Sequence, residues 1–212
     1  VGYTGSTSGF PLANPGGGAY YDNTYNGGNT DAFIAKFSGS NRSLVWSTYY
    51  GGGAQDYIGE SPMGSKVGGG DRSIVAGAGF IAVGALTYTT NGSFPVGNHS
   101  SPCPSGFYQG THGGVEDLAI LTFDLNGVPQ WRTFYGGSGH EESPVGVAVY
   151  STYLYVVGNT PGALPASHLP NPGGGAYHDA TYNGGSYDAV LLRFDYAGCP
   201  LLRWEEAADE GA

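Results

Sequence analysis

Positive charge is scarce in this sequence. Seven Lys and Arg residues stand against 17 Asp and Glu, a formal net charge of −10. Nucleic acid and anionic membranes both call for a basic track, so neither is expected as a partner. No apolar run approaches the roughly 18 residues of a membrane span. Apolar residues nowhere recur at helical period, which leaves strands as the regular element. There is no Gly-x-Ser-x-Gly elbow, no phosphate loop and no recognisable Ser/His/Asp arrangement, so no active site is legible. The chain opens on Val1 with neither an initiator Met nor a signal-peptide pattern, and it reads as processed or partial.

What is abundant points the other way. Forty glycines and 13 prolines suit a chain of short strands and tight turns. A hydrophobic content of 40%, with aromatic residues making up 14% of the chain, suffices for a core. Seventeen tyrosines fit half-buried sheet faces and contact surfaces, where a large ring carries a polar tip. A charged fraction of 11% beside much Gly, Ser, Thr, Asn and Tyr implies an extracellular or cell-surface location. Asn41, Asn91 and Asn98 each open an Asn-x-Ser triplet and are glycosylation candidates.

The organising feature is a paragraph written three times. Asp31-Ala-Phe-Ile-Ala-Lys-Phe37 is followed by Leu44-Val-Trp-Ser-Thr-Tyr-Tyr-Gly-Gly52. Asp117-Leu-Ala-Ile-Leu-Thr-Phe123 is followed by Pro129-Gln-Trp-Arg-Thr-Phe-Tyr-Gly-Gly137. Asp188-Ala-Val-Leu-Leu-Arg-Phe194 is followed by Pro200-Leu-Leu-Arg-Trp204, after which Glu205-Glu-Ala-Ala-Asp-Glu210 replaces the pattern. Each copy divides into short strand-like segments between turns: 74–77, 80–86, 118–123 and 128–135 in the second, and 145–150, 153–159, 188–194 and 201–204 in the third. Four antiparallel strands per repeat unit of this length is a propeller blade. The fold expected is therefore all-β and β-propeller-like, with three four-stranded antiparallel blades at residues 1–60, 61–143 and 144–212. Val1-Gly2 aligns with Val83-Gly84 and Val157-Gly158, in mid-strand, so the first blade is incomplete at its N-terminal side. Unpaired edges of this kind invite a strand from another chain or from further sequence.

Gly2-Tyr-Thr-Gly-Ser-Thr-Ser-Gly-Phe-Pro11, with the Asp31–Phe37 and Leu44–Gly52 stretches, resembles the secreted SBBP repeat family of seven-bladed β-propellers. The resemblance covers nearly the whole chain. It implies a non-catalytic, exported propeller that forms part of a larger surface protein, and it brings no catalytic residues.

One loop is duplicated without a gap at an offset of 157 positions: Asn14-Pro-Gly-Gly-Gly-Ala-Tyr-Tyr-Asp-Asn-Thr-Tyr-Asn-Gly-Gly28 and Asn171-Pro-Gly-Gly-Gly-Ala-Tyr-His-Asp-Ala-Thr-Tyr-Asn-Gly-Gly185. Asp22, Thr24, Asn26 and Asp31, repeated as Asp179, Thr181, Asn183 and Asp188, place oxygens at alternate positions before a Gly, as at the start of a calcium loop. Phe33 and Val190 stand where the bidentate acid should be. Ca²⁺ is one expectation here, and a rigid Asx-rich turn is the other. Asp31, Asp117 and Asp188 each open a strand and are expected to accept turn N–H groups. Trp46, Trp131 and Trp204 are expected to pack. Tyr20, Tyr21, Tyr25, Tyr177 and Tyr182 could stack on a glycan or peptide. His140-Glu-Glu142 lacks the i, i+4 spacing that would aim two ligands at one metal.

Cys103 and Cys199 fall in connections at opposite ends of strands some 17–20 Å long. A disulfide needs Cα atoms within about 7 Å. Pairing within one chain is therefore not expected, and free thiols or a bridge between subunits stay open.

Three functional readings follow. The leading one is a non-catalytic structural subunit of a surface or filamentous assembly, partnered by copies of itself or by other blades and completed by strand complementation. The alternative is a lectin-like or adhesin propeller that binds glycan or peptide. The last is a propeller hydrolase or lyase, whose sign would be a cluster of shifted carboxylates.

Overall fold

The computed structural model describes residues 1–59, 72–77, 79–90, 92–98, 106–139, 143–195 and 201–202. The chain is all-β, built as three antiparallel sheets in chain order. The first contains β1 (Gly2–Thr4), β2 (Asp31–Phe37) and β3 (Leu44–Tyr50). The second contains β4 (Asp56–Ile58), β5 (Ile74–Gly77), β6 (Phe80–Thr87), β7 (Asp117–Asp124) and β8 (Pro129–Tyr135). The third contains β9 (Ser143–Tyr150), β10 (Tyr153–Thr160), β11 (Asp188–Asp195) and β12 (Leu201–Leu202). Among the described residues no helix is long and apolar enough to cross a membrane.

Two details differ from the expected units. β4 lies before residue 60, yet it pairs with β6 of the second sheet, Asp56 opposite Thr87 and Ile58 opposite Ala85. The step between the first two sheets therefore falls between Tyr50 and Asp56, ahead of the expected 60/61 boundary. β5 pairs the same edge of β6, so this edge strand of the second sheet is made of two pieces. The second difference is one of register. Thr4, Thr87 and Thr160 stand opposite Asp31, Asp117 and Asp188. That places Gly2 and Gly158 at one level and Gly84 one residue away, so the middle copy carries an extra residue after its Val-Gly pair.

The sheets stack because alternate residues along each strand face opposite neighbours. One seam joins Ala32, Ile34, Trp46 and Tyr50 of the first sheet to Ile81, Val83, Leu121 and Phe123 of the second. The other joins Phe80, Ala82, Ile120 and Trp131 of the second to Leu154, Val156, Leu192 and Phe194 of the third. Both faces of the middle sheet are covered, so β6 and β7 read as almost continuous apolar runs. The seams share a device. Trp46 meets Phe123 at 5.7 Å between ring centroids, and Trp131 meets Phe194 at 5.0 Å. Both tryptophans are fully buried, as expected of packing residues; Trp204 lies outside the described residues.

Candidate functional site

The loop 14–28 is held by its own polar groups. Asn14 Oδ1 accepts from the Gly16 N–H at 2.8 Å, and Asp22 Oδ1 accepts from the Thr24 N–H at 2.9 Å. Asn26 Nδ2 donates to Asp22 Oδ2 at 2.7 Å, and the Asn26 N–H donates to Asp31 Oδ2 at 2.6 Å. Gly16, Gly17 and Gly18 all take positive φ, between 65° and 84°, which explains the run of three glycines. Each strand-opening aspartate does what its position predicts: Asp117 accepts from the Gly113 N–H at 2.8 Å, and Asp188 from the Asn183 N–H at 2.6 Å.

β3 seats this loop. The Trp46 indole donates to the Tyr20 carbonyl at 2.8 Å, Thr48 Oγ1 accepts from the Asp22 N–H at 2.8 Å, and the Tyr49 N–H donates to the Asp22 carbonyl at 3.1 Å. β8 repeats the arrangement in the second sheet. There Trp131 donates to the Phe107 carbonyl at 2.8 Å, Thr133 Oγ1 accepts from the Gln109 N–H at 2.8 Å, and the Phe134 N–H donates to the Gln109 carbonyl at 3.1 Å. The tyrosine two residues on reaches the following sheet's loops: Tyr50 donates to the Pro95 carbonyl, and Tyr135 to the His168 carbonyl.

Two carboxylates converge under the seated loop. A Cβ at Gly51 would lie 2.8 Å from Asp56 Oδ2 and 3.1 Å from Asp31 Oδ1, so only glycine fits between them. Asp31 and Asp56 are both fully buried. Burial pushes the Asp56 carboxyl up to about 7, aided by the charge of Asp31 and opposed by hydrogen bonds from Thr87, the Gly52 N–H and Thr89. Burial likewise pushes Asp31 up to about 6, opposed by the Asn26 N–H and aided by Asp22. Asp31 Oδ1 has no hydrogen-bond partner. Shifted carboxylates are the sign an enzyme would show; here both lie buried beneath the loop. Asp56 was not singled out in the sequence. The available signal was an acid five residues after the first Gly of the Gly-Gly pair, Asp56 after Gly51 and Glu141 after Gly136.

Of the side chains expected to hold Ca²⁺, the four aspartates have carboxylate oxygens drawn into this turn network. In the third copy Thr181 N–H and Asn183 Nδ2 donate to the two oxygens of Asp179, at 2.8 and 3.1 Å. Those bonds, the backbone one first, hold the Asp179 carboxyl below its ordinary value. Among the described residues no group of three His, Cys, Asp or Glu side chains is arranged to hold a metal.

The tyrosines divide. Tyr20 packs on Tyr50 at 4.8 Å and against the first seam, and Tyr25 packs edge-on against Tyr49 at 6.1 Å. Tyr21 is half-buried. Tyr177 is 84% exposed. It borders a cleft of about 380 Å³ whose walls include Thr160, Leu164, Asp179, Tyr182 and Val190. Tyr182 donates to the Gly185 carbonyl at 2.8 Å, as Tyr25 does to Gly28 at 3.1 Å. Asn41 is exposed in the β2–β3 turn, where its Oδ1 accepts from the Ser43 N–H at 3.1 Å, and Asn98 is exposed too. Asn91, Cys103, Cys199 and His140-Glu-Glu142 lie outside the described residues.

The sequence matches no model of a known protein family and no curated protein.

Proposed function

We propose that the chain is a non-catalytic structural unit of an extracellular assembly. In this reading its three sheets are consecutive blades of the SBBP propeller type, continued on both sides by further sheets of the same kind. One observation carries the reading: both outermost faces present residues that the repeat buries everywhere else. Phe37 is 61% exposed, although Phe123 and Phe194, at the same distance from their aspartates, are fully buried. Leu191 is 49% exposed at the position where Ile34 and Ile120 have 1% and 0%. Tyr150 and Val157 extend the third sheet's open face, at 75% and 39%. Each internal seam sets a tryptophan on the next sheet's phenylalanine. Phe37 lacks such a tryptophan among the described residues, and the sequence places Trp204 at the matching position of the third repeat. Exposed apolar faces of this kind mark contact surfaces, and a head-to-tail match between them builds rings or filaments.

Light scattering over a concentration series tests this. The chain is expected to self-associate, and Phe37→Asp and Leu191→Asp should each abolish it. Mixing the two variants should restore dimers and nothing larger, because each keeps one intact face. A chain that stays monomeric at every concentration sinks the proposal.

A glycan-binding propeller is the second reading, favoured by exposed Tyr177 beside its cleft. A glycan array decides it, and an array without hits removes it.

A further inference from the structure

We infer that the cleft beside β11 is an acceptor for an extended strand of the pattern Thr-aromatic-Tyr-Gly-Gly, supplied from outside the described residues. The warrant is that the molecule contains the same slot three times, twice filled and, among the described residues, once open. In the first sheet, Thr48-Tyr-Tyr-Gly-Gly52 lies between the loop and β2, with Thr48 opposite Ile34 and Tyr50 opposite Ala32. In the second, Thr133-Phe-Tyr-Gly-Gly137 lies against β7, with Thr133 opposite Ile120 and Tyr135 opposite Leu118. In the third, the described residues of β12 pair with β11 at Phe194 and Asp195. The edge from Asp188 to Leu192, where Thr and Tyr would stand opposite Leu191 and Ala189, borders the open cleft instead.

The third slot is shaped before anything enters it. Asn14–Gly28 and Asn171–Gly185 make the same internal hydrogen bonds: Gly16 and Gly173 to the Asn at 2.8 Å in both, and Asn26 and Asn183 to the strand aspartate at 2.6 Å in both. Their glycine triplets match as well, with φ of 75°, 65° and 84° against 73°, 62° and 82°. What differs is the seat. Asp22 receives Thr48 on its N–H and Tyr49 on its carbonyl; Asp179, its counterpart, has no such partner among the described residues. Tyr20 leans on Tyr50, whereas Tyr177 is 84% exposed. An incoming strand would find one backbone edge, one N–H and carbonyl pair at Asp179, and one aromatic wall already in place. Strand addition draws affinity from the first and specificity from the others.

The occupant's chemistry follows from the filled copies. A threonine hydroxyl accepts from Asp179, the following aromatic residue donates its N–H to the Asp179 carbonyl, and a tyrosine ring lies against Tyr177. The chain's own sequence after Trp204, Glu205-Glu-Ala-Ala-Asp-Glu210, offers none of these side chains. It would also bring carboxylates to a cleft already walled by Asp179 and Asp188.

The inference rests on the assembly reading only for its purpose, and the two fail separately. The probe is a dye-labelled Ser-Thr-Tyr-Tyr-Gly-Gly peptide, the sequence of residues 47–52, titrated with the full chain by fluorescence anisotropy. Saturable binding is expected, weakened about tenfold by Thr→Val in the peptide, a change equivalent to one lost hydrogen bond. Tyr177→Ala in the protein should weaken it by a similar factor, and that side chain is exposed enough to leave the fold intact. No saturation, equal binding of the Thr→Val peptide, or capture of a glycan that the peptide cannot displace would overturn the inference. Light scattering of the same samples reads the assembly proposal independently: self-association without peptide binding removes only the acceptor slot, and peptide binding by a permanent monomer removes only the assembly.

Discussion

The loops 14–28 and 171–185 are two copies of nearly one sequence in two surroundings. The first is pinned by β3 and roofs a buried carboxylate pair. The third stands open beside a cleft, with Tyr177 in solvent. Their backbones and internal hydrogen bonds nonetheless agree closely. The loop's shape is therefore written locally, by Asx turns and positive-φ glycines, and the seating strand adds stability without adding shape.

The largest effect is expected from Trp46→Ala. It empties a fully buried site against Phe123 and removes the hydrogen bond to Tyr20. The cost should be about 3–5 kcal/mol in denaturant unfolding, and a loss below 1 kcal/mol would mean that the seam repacks without it.

Next comes the carboxylate pair. The folded-state values of Asp56 and Asp31, about 7 and about 6, lie above the ordinary 3.8 of an unfolded aspartate. The folded state thus binds their protons more tightly. Stability from this source is complete below pH 3.8 and is lost as pH rises through 7. Asp56→Asn should remove most of that slope. Relative to the variant, the wild type should lose about 2–4 kcal/mol between pH 4 and pH 8. Parallel profiles for the two proteins would show that the pair does not titrate in this range.

Tyr20→Ala and Tyr177→Ala form a matched pair of substitutions. The first removes a ring packed on Tyr50 and should cost about 2–3 kcal/mol. The second should stay within about 0.5 kcal/mol, as surface changes do. Equal costs would show that the third loop is seated after all. Thr48→Val, which strips the hydroxyl that accepts from Asp22, falls between those two, and about 1–1.5 kcal/mol is expected from the same unfolding curves.

Much of the fold was legible because repetition cross-checks itself. Asp31, Asp117 and Asp188 each open a strand as expected, and the turn at Ser151-Thr152 joins β9 to β10, with Ser151 at φ 52°. β4 escaped notice because three residues after a glycine run carry no period of their own; only pairing with β6 makes them a strand. The same holds for Asp56, whose proximity to Asp31 depends on how two sheets meet at Gly51. Tyr20 and Tyr177 are indistinguishable as letters. What separates them is whether Thr-Tyr-Tyr follows in the right strand, a property of a distant segment. The exposed faces were hidden for a similar reason, since Leu191 looks like any core residue until its neighbouring sheet is sought.

The two-piece edge strand of the second sheet bears on how such a molecule tolerates change. β4 ends at Ile58 opposite Ala85, and β5 resumes at Ile74 opposite Val83, with the pairing direction kept. At the corresponding level the third sheet has only a bulge, where the register shifts between Val157 and Gly158. One sheet thus spends 15 residues, 59–73, where another spends the single residue Val145. Chain length at that point is uncoupled from the sheet's register, because the strand is re-entered through its own partner on β6. Lengthening a connection adds little closure cost, about 0.6 kcal/mol per doubling. The bulge opposite Val157 is accordingly a natural splice point, where a foreign peptide could be displayed without disturbing either seam.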